Sequence, residues 1–251
     1  MIFDGHSDIF SDVRYKREAG ETQVLKNHHL DRLRKGGIGG ACFVIWADTY
    51  NGHAPKDEME AIVKGIKGEM AETKEFVLIH NVEELKAAEA AGKFAILLGI
   101  EGLAGIGEDL SKIDELYDLG ARHAMLTWNE ENALATGVKG NPNRGVTELG
   151  KQAIKKLQEK KMILDVSHIN EKSFWDVIDL ATGPILASHS NAKALASAAR
   201  NLTDDQLRAI RDTNGLVGLN AFGDFISDNK AEQDVDHLVN HATYIADKIG
   251  V

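Results

Sequence analysis

The chain has 251 residues, 43% of them hydrophobic, and 39 acidic against 29 basic side chains give a formal charge of −10. That length suits one large domain or two small ones around a sizeable core, and the acidic balance argues against nucleic acid as a partner. Cys42 is the only cysteine, no apolar run has the length of a membrane span, and residues 1–10 lack a basic signal-peptide start, so a cytoplasmic protein without disulfide or membrane partner is expected.

The first element, MIFDGHSD (1–8), is an apolar run that leads into His6 and Asp8. On a strand, residues i and i+2 point to one side. The pair can therefore aim an imidazole and a carboxylate at a single divalent metal. The plain alternative is that Asp4, His6 and Asp8 form a polar patch that caps the next segment. Further apolar runs of strand length follow at 38–46, 94–100, 123–128, 162–167, 184–188 and 215–220, with FVLI (76–79) as a small extra strand. Helical patterns lie between them at 24–36, 59–75, 82–92, 110–120, 148–161, 202–215 and 232–250, and most end in Gly, the usual C-cap signal. Strands that are apolar throughout and separated by helices predict an α/β fold with a parallel sheet covered on both faces. There is no GxGxxG after the first strand and no Walker loop. A TIM-like (β/α)8 barrel fits better, because chemistry-bearing residues collect at the C-terminal strand ends, which form one rim in that fold.

Those ends are specific. FAILLGI leads into Glu101, MILDVS into His168, and PILAS into His189. With His6 and Asp8 they make five candidate ligands, more than one tetrahedral zinc needs and enough for two metals that share a carboxylate. Asp4 and Asp165 are candidates for orienting the histidines. His123 opens a strand and reads as a stability residue. His28, His29, His53, His80, His237 and His241 lie on helical patterns or loops and read as surface or half-buried. Cys42, in ACFVIW, reads as a core thiol.

DGHSD, GIEG, DVSH, and ASHSNAKAL followed by ARNLTDDQL together resemble the membrane dipeptidase (renal dipeptidase) family, including its soluble bacterial members, in motif order along the whole chain. The resemblance implies a metal-dependent hydrolase barrel with two Zn(2+) per chain. It implies hydrolysis of dipeptides, with a D-residue tolerated at the second position, by a metal-bridging hydroxide, and a homodimer. It places His6 and Asp8 on the first zinc, Glu101 as the bridging ligand, and His168 and His189 on the second zinc. It gives Arg200, in ARNLTDD, the substrate carboxylate; read without the family, Arg200 is surface charge before the N-cap-like Thr203. Where many members carry a histidine after a Leu-Thr pair, this chain has Trp128, so Trp128 and Asn129 become the substrate-binding candidates, with Asn132 beside them. The Gly- and Asn-rich stretch 134–147 either borders the pocket or is a turn-rich connection. The family continues past YIADKIGV into a strand that carries a proton-shuttle aspartate, so one barrel domain over 1–251 without its eighth strand and helix is expected. Asp224 and Asp228 are not assigned that role. The alternatives are amidohydrolase chemistry on N-acyl amino acids or lactones, or a non-catalytic metal- or peptide-binding homologue.

Overall fold

Among the described residues, eight strands form two four-stranded sheets, and the registers described are all parallel. The computed structural model describes residues 1–47 and 52–250. They fall into two units, Met1–Ala124 and Met125–Val251.

The first unit runs β1 (Ile2–Ser7), α1 (Ile9–Glu18), a π-helical turn (Leu25–His29), α2 (Leu30–Lys35), β2 (Ile38–Trp46), α3 (Pro55–Glu72), β3 (Phe76–Leu78), α4 (Val82–Ala90), β4 (Phe94–Glu101) and α5 (Lys112–Leu119). Its sheet order is β1-β2-β4-β3. β2 is apolar because both its faces are covered. Phe43 meets Phe10 edge-on at 5.4 Å and stacks on Phe94 at 5.6 Å. Pro55 starts α3 at a first-turn position, where its missing N–H costs nothing. FVLI is indeed a small extra strand: β3 pairs only with residues 94–96 of β4, while Leu98 on β4 bridges to Ala121. The seven main strands expected from the sequence are the other seven. His123 is fully buried and Cys42 nearly so. Gly99 makes room for both, since a Cβ there would lie 2.6 Å from His123 Nδ1 and 2.8 Å from Cys42 Sγ.

β5 (His123–Met125) leads into the second unit, which continues with α6 (Glu148–Glu159), β6 (Ile163–Asp165), α7 (Glu171–Leu180), β7 (Ile185–Ala187), α8 (Asp204–Asp212), β8 (Leu216–Val217), α9 (Gly223–Ile226) and α10 (Val235–Ile249). Its sheet order is β5-β6-β7-β8. The helix starts carry their own signals. Thr147, Asn170 and Asp234 each accept an N–H from three residues on, and Thr203 and Gln206 form a capping box. Besides the single turn α9, two longer helices, α1 and α7, lie where the sequence reading sets none. Neither is followed directly by Gly, since their C-caps are Ala19 and Ala181. Their signals were the buried pair Phe10 and Val13 in α1, and the Asn170 cap before Phe174 and Val177 in α7.

Two histidines correct the surface reading. His29 is buried against Asp12, with Nε2 at 2.8 Å from the carboxylate. His241, on α10, is 0% exposed. Its Nδ1 accepts the Ala192 N–H at 3.1 Å and its Nε2 donates to the Ile226 carbonyl at 2.8 Å, so the neutral Nε2–H tautomer is fixed. His241→Phe fills the space but leaves both backbone groups buried without partners. It is expected to lower unfolding free energy by about 2–4 kcal/mol, read by urea denaturation. A loss under ~0.5 kcal/mol would show that the segment after β7 does not depend on this ring.

Candidate metal centre

In the first unit, β1 delivers His6 and β4 delivers Glu101, with β2 between them. His6 Nε2 lies 3.2 Å from Glu101 Oε2 and 3.6 Å from Asp8 Oδ1. Asp8 stands one residue past the strand, at the N-cap of α1, so its approach to His6 comes from the strand-to-helix turn as well as from strand alternation. Asp4 accepts the backbone N–H of His6 at 3.2 Å and so fixes the main chain there. Burial pushes the Glu101 carboxyl up to about 7, against the pull of His6. Burial alone would lower His6, but hydrogen bonds to Asp8 and Glu101 outweigh it and hold the imidazole at about 10. Burial likewise works to raise Asp8, and its bonds with His6 and Glu101 keep it below the ordinary carboxylate value. The cluster therefore holds a proton between two carboxylates and one ring. A proton in that place does what a divalent cation would do, and a metal must displace it to bind. The donor set fits a metal.

In the second unit, His168 follows β6 and His189 follows β7. Their Nε2 atoms face each other at 2.7 Å, and both rings are buried. Two bare lone pairs cannot face each other so closely; a proton or a cation has to lie between them, and this donor pair also fits a metal. Asp165 builds both turns: its carboxylate accepts the N–H of Ser167 at 2.7 Å and that of Ser188 at 3.3 Å, the residues just before the two histidines. Ser188 Oγ lies 2.8 Å from His189 Nδ1, and Asn129 Oδ1 lies 2.9 Å from His168 Nδ1. His168 itself has a φ of +73°, a left-handed conformation that a non-glycine residue takes only when its surroundings impose it.

Arg200 is 7% exposed and belongs to this cluster, not to the surface. Its guanidinium reaches His168 Nδ1 at 3.1 Å, Ser190 Oγ at 3.2 Å and the His189 carbonyl at 3.1 Å. Trp128 stands beside His168, with ring centroids 5.9 Å apart, and Lys139 Nζ lies 5.6 Å over the Trp128 ring. The stretch 134–147 is a docked wall. Val138 donates to the His168 carbonyl and Lys139 to the Asn129 carbonyl, both at 2.9 Å. Gly137 permits that approach, since a Cβ there would run into the Trp128 carbonyl and lie 2.5 Å from Asn129 C. Arg144 pins the same loop through the carbonyls of Asn132 and Ala135. Asn132 is engaged within its own loop: its amide donates to Leu126 and Glu130, and its oxygen accepts from Leu134 and Ala135. Asp228 fastens Ser197, and Asp224 pairs with Lys230 and Gln233, so both hold loops.

The sequence reading missed Ser188 and Ser190 as partners of the site, and gave Asp165 no definite task. The ASHS and DVSH motifs contained all three, but Asp165 meets Ser188 across 23 residues and Ser190 meets Arg200 across 10, spacings that leave no local pattern.

Comparison with known proteins bears on these groups. The family model described as membrane dipeptidase (Peptidase family M19) matches residues 1–251. An uncharacterised protein in the PQQ-III 3' region of Acinetobacter calcoaceticus is 30% identical over 282 residues, covering 99% of this chain and 90% of that protein. A solved metallopeptidase from Rhodobacter sphaeroides, liganded with a phosphinate mimic of the dipeptide L-Ala-D-Ala, superposes with a TM-score of 0.88 at 25% identity over 99% of this chain and 82% of the other. The solved dipeptidase AC, a metallopeptidase of family M19, gives a TM-score of 0.89 at 25% identity with the same coverage. Among the described residues no helix is long and apolar enough to cross a membrane. With its α/β fold and its carboxylate and histidine groups at strand ends, this chain belongs to the membrane dipeptidase family, peptidase family M19.

Proposed function

We propose that this protein is a binuclear-zinc dipeptidase. The observation that carries the reading is the buried pair His168 and His189, whose Nε2 atoms face each other at 2.7 Å with the Arg200 guanidinium alongside. Metal ligands and a carboxylate clamp in one cluster are what hydrolysis of a free dipeptide requires. Family membership supports the ligand assignment: His6 and Asp8 on one zinc, His168 and His189 on the other, and Glu101 shared, within one barrel domain. Bound there, zinc supplies Lewis acidity and an activated water near neutral pH.

The protein's own groups do the rest. Asp165 keeps the turns before His168 and His189 in register. Arg200 offers a planar fork to the substrate's C-terminal carboxylate, which limits the site to short substrates. Trp128 gives an apolar wall with one N–H donor and no titration near pH 7, where many relatives have histidine. The Rhodobacter sphaeroides structure, with its L-Ala-D-Ala mimic, supports a substrate with a D-residue in second position. A cytoplasmic homodimer belongs to the same reading and rests on the family resemblance.

The test is a hydrolysis panel on zinc-loaded protein: L-Ala-D-Ala, L-Ala-L-Ala, N-acetylalanine, a lactone, and L-Ala-L-Ala amide. Release of free amino acids from the two unblocked dipeptides, abolished by a chelator and restored by zinc, is the expected result. Cleavage of N-acetylalanine or the lactone without dipeptide turnover would replace the reading with other amidohydrolase chemistry. Bound zinc with no turnover would make the protein a binding homologue.

A further inference from the structure

We infer that Asn129 is the positioning residue that fixes the His168 tautomer, with Nδ1 protonated and Nε2 left as a lone pair for the metal; the inference rests on His168 being a zinc ligand as proposed above. His168 Nδ1 has two neighbours with opposite demands. Asn129 Oδ1, at 2.9 Å, can only accept a proton. The Arg200 Nε–H, at 3.1 Å, can only donate one. One ring nitrogen satisfies one of them at a time.

The choice runs through the whole cluster. If Arg200 donates to Nδ1, the His168 proton moves to Nε2 and points at His189 Nε2. His189 must then accept it and carry its own proton on Nδ1, toward Ser188 Oγ. In that arrangement His168 cannot ligate a metal through Nε2. If Asn129 accepts from Nδ1–H, His168 Nε2 is a lone pair. His189 can present its own Nε2 to the same ion by keeping Nδ1–H on Ser188 Oγ. Only the Asn129 arrangement is compatible with metal on both rings.

The backbone prepares Asn129 for this. Its carbonyl accepts the Lys139 N–H at 2.9 Å, and the next N–H along that wall, Val138, goes to the His168 carbonyl at the same distance. Loop and histidine are thus joined twice, through the main chain and through the ring. That double join accounts for how the left-handed backbone at His168 is held. Asn129 stands next to Trp128, so it would serve the histidine ligand while Trp128 forms the wall beside it.

Two variants separate this role from mere packing. Asn129→Leu keeps the approximate shape and removes the acceptor. Asn129→Asp keeps the acceptor. Zinc affinity is measured by chelator competition, and the His168 tautomer in metal-free protein by nitrogen-15 NMR of the ring. Asn129→Leu is expected to bind the weaker zinc about 10- to 100-fold less tightly and to shift His168 to the Nε2–H form. Asn129→Asp is expected to bind zinc at least as tightly as the parent, with Nδ1–H retained. Equal losses of affinity in both variants would make Asn129 a packing residue and overturn the inference. So would a His168 tautomer that is the same in the parent and in Asn129→Leu. A parent that binds no zinc refutes the dipeptidase reading, and with it His168 as a ligand, whereas a parent that binds zinc with no difference among the variants refutes only the role of Asn129.

Discussion

Replacing Glu101 by alanine is expected to strip more metal from the protein than replacing His189 by alanine. The parent, saturated with zinc and desalted, should hold close to two ions per chain. His189→Ala removes one ligand from one ion and should leave about one. Glu101→Ala removes the carboxylate proposed to be shared, which weakens both ions, and should leave close to none. Glu101 also stands 3.2 Å from His6 and is 5% exposed, so its loss removes a buried carboxylate that lies nearer to that ring than half-exposed Asp8 does. Dipeptide turnover should fall by at least ~10²-fold in both variants, since losing a ligand outweighs the loss of an outer partner. Glu101→Gln is the companion variant: it keeps the side-chain volume, so a metal loss shared with Glu101→Ala is not a packing effect. Elemental analysis, with far-ultraviolet circular dichroism as the check on folding, decides it. Zinc retained equally by Glu101→Ala, His189→Ala and the parent would remove both residues from the ligand set.

That Glu101, His6, His168 and His189 stand out in the sequence has a simple cause. Each stands at or just past the C-terminal end of a strand: His6 in the last residues of β1, Glu101 as the last residue of β4, and His168 and His189 in the turns after β6 and β7. A buried strand such as β4 leaves few places for a polar side chain except its end. What supports them is far less legible. Arg200 reads as surface charge because it stands just before the N-cap-like Thr203. Its burial depends on a segment fastened from elsewhere: Asn191 to Asn220 and Phe225, Asn201 to Phe225, Asp228 to Ser197, and His241 to Ala192. Contacts that span 24 to 49 residues carry no period of two or 3.6. His241 shows the cost most plainly, since on α10 it reads as one more polar residue of an amphipathic helix and is fully buried. The left-handed turn at His168 is equally hidden, because the conformation belongs to the docking of residues 137–139 and not to any preference of histidine. Helix α7 was within reach: Asn170 followed by Ser173 and Phe174 is a cap followed by an apolar face.

Arg200→Lys is expected to separate substrate recognition from metal binding. Arginine presents five N–H donors in a rigid plane, and two groups that accept from it are in view: Ser190 Oγ and the His189 carbonyl. Lysine keeps the charge but offers one nitrogen on a flexible stem. It cannot be held by those two groups and also grip a carboxylate with two parallel bonds. Losing one charge-assisted hydrogen bond of ~1.5–3 kcal/mol corresponds to roughly 10- to 100-fold in kcat/KM. The loss should appear mainly in KM, because the clamp acts on the bound substrate before and during reaction alike. Zinc content should equal the parent's, since none of the proposed ligands changes. L-Ala-L-Ala amide lacks the carboxylate that the fork would hold. Any residual turnover of it should fall by much less than that of L-Ala-L-Ala. A uniform drop for both substrates with the metals intact would make Arg200 a support for the two histidine turns. An unchanged kcat/KM for the free dipeptide would show that the buried guanidinium takes no part in recognition, and that the carboxylate is held by another group.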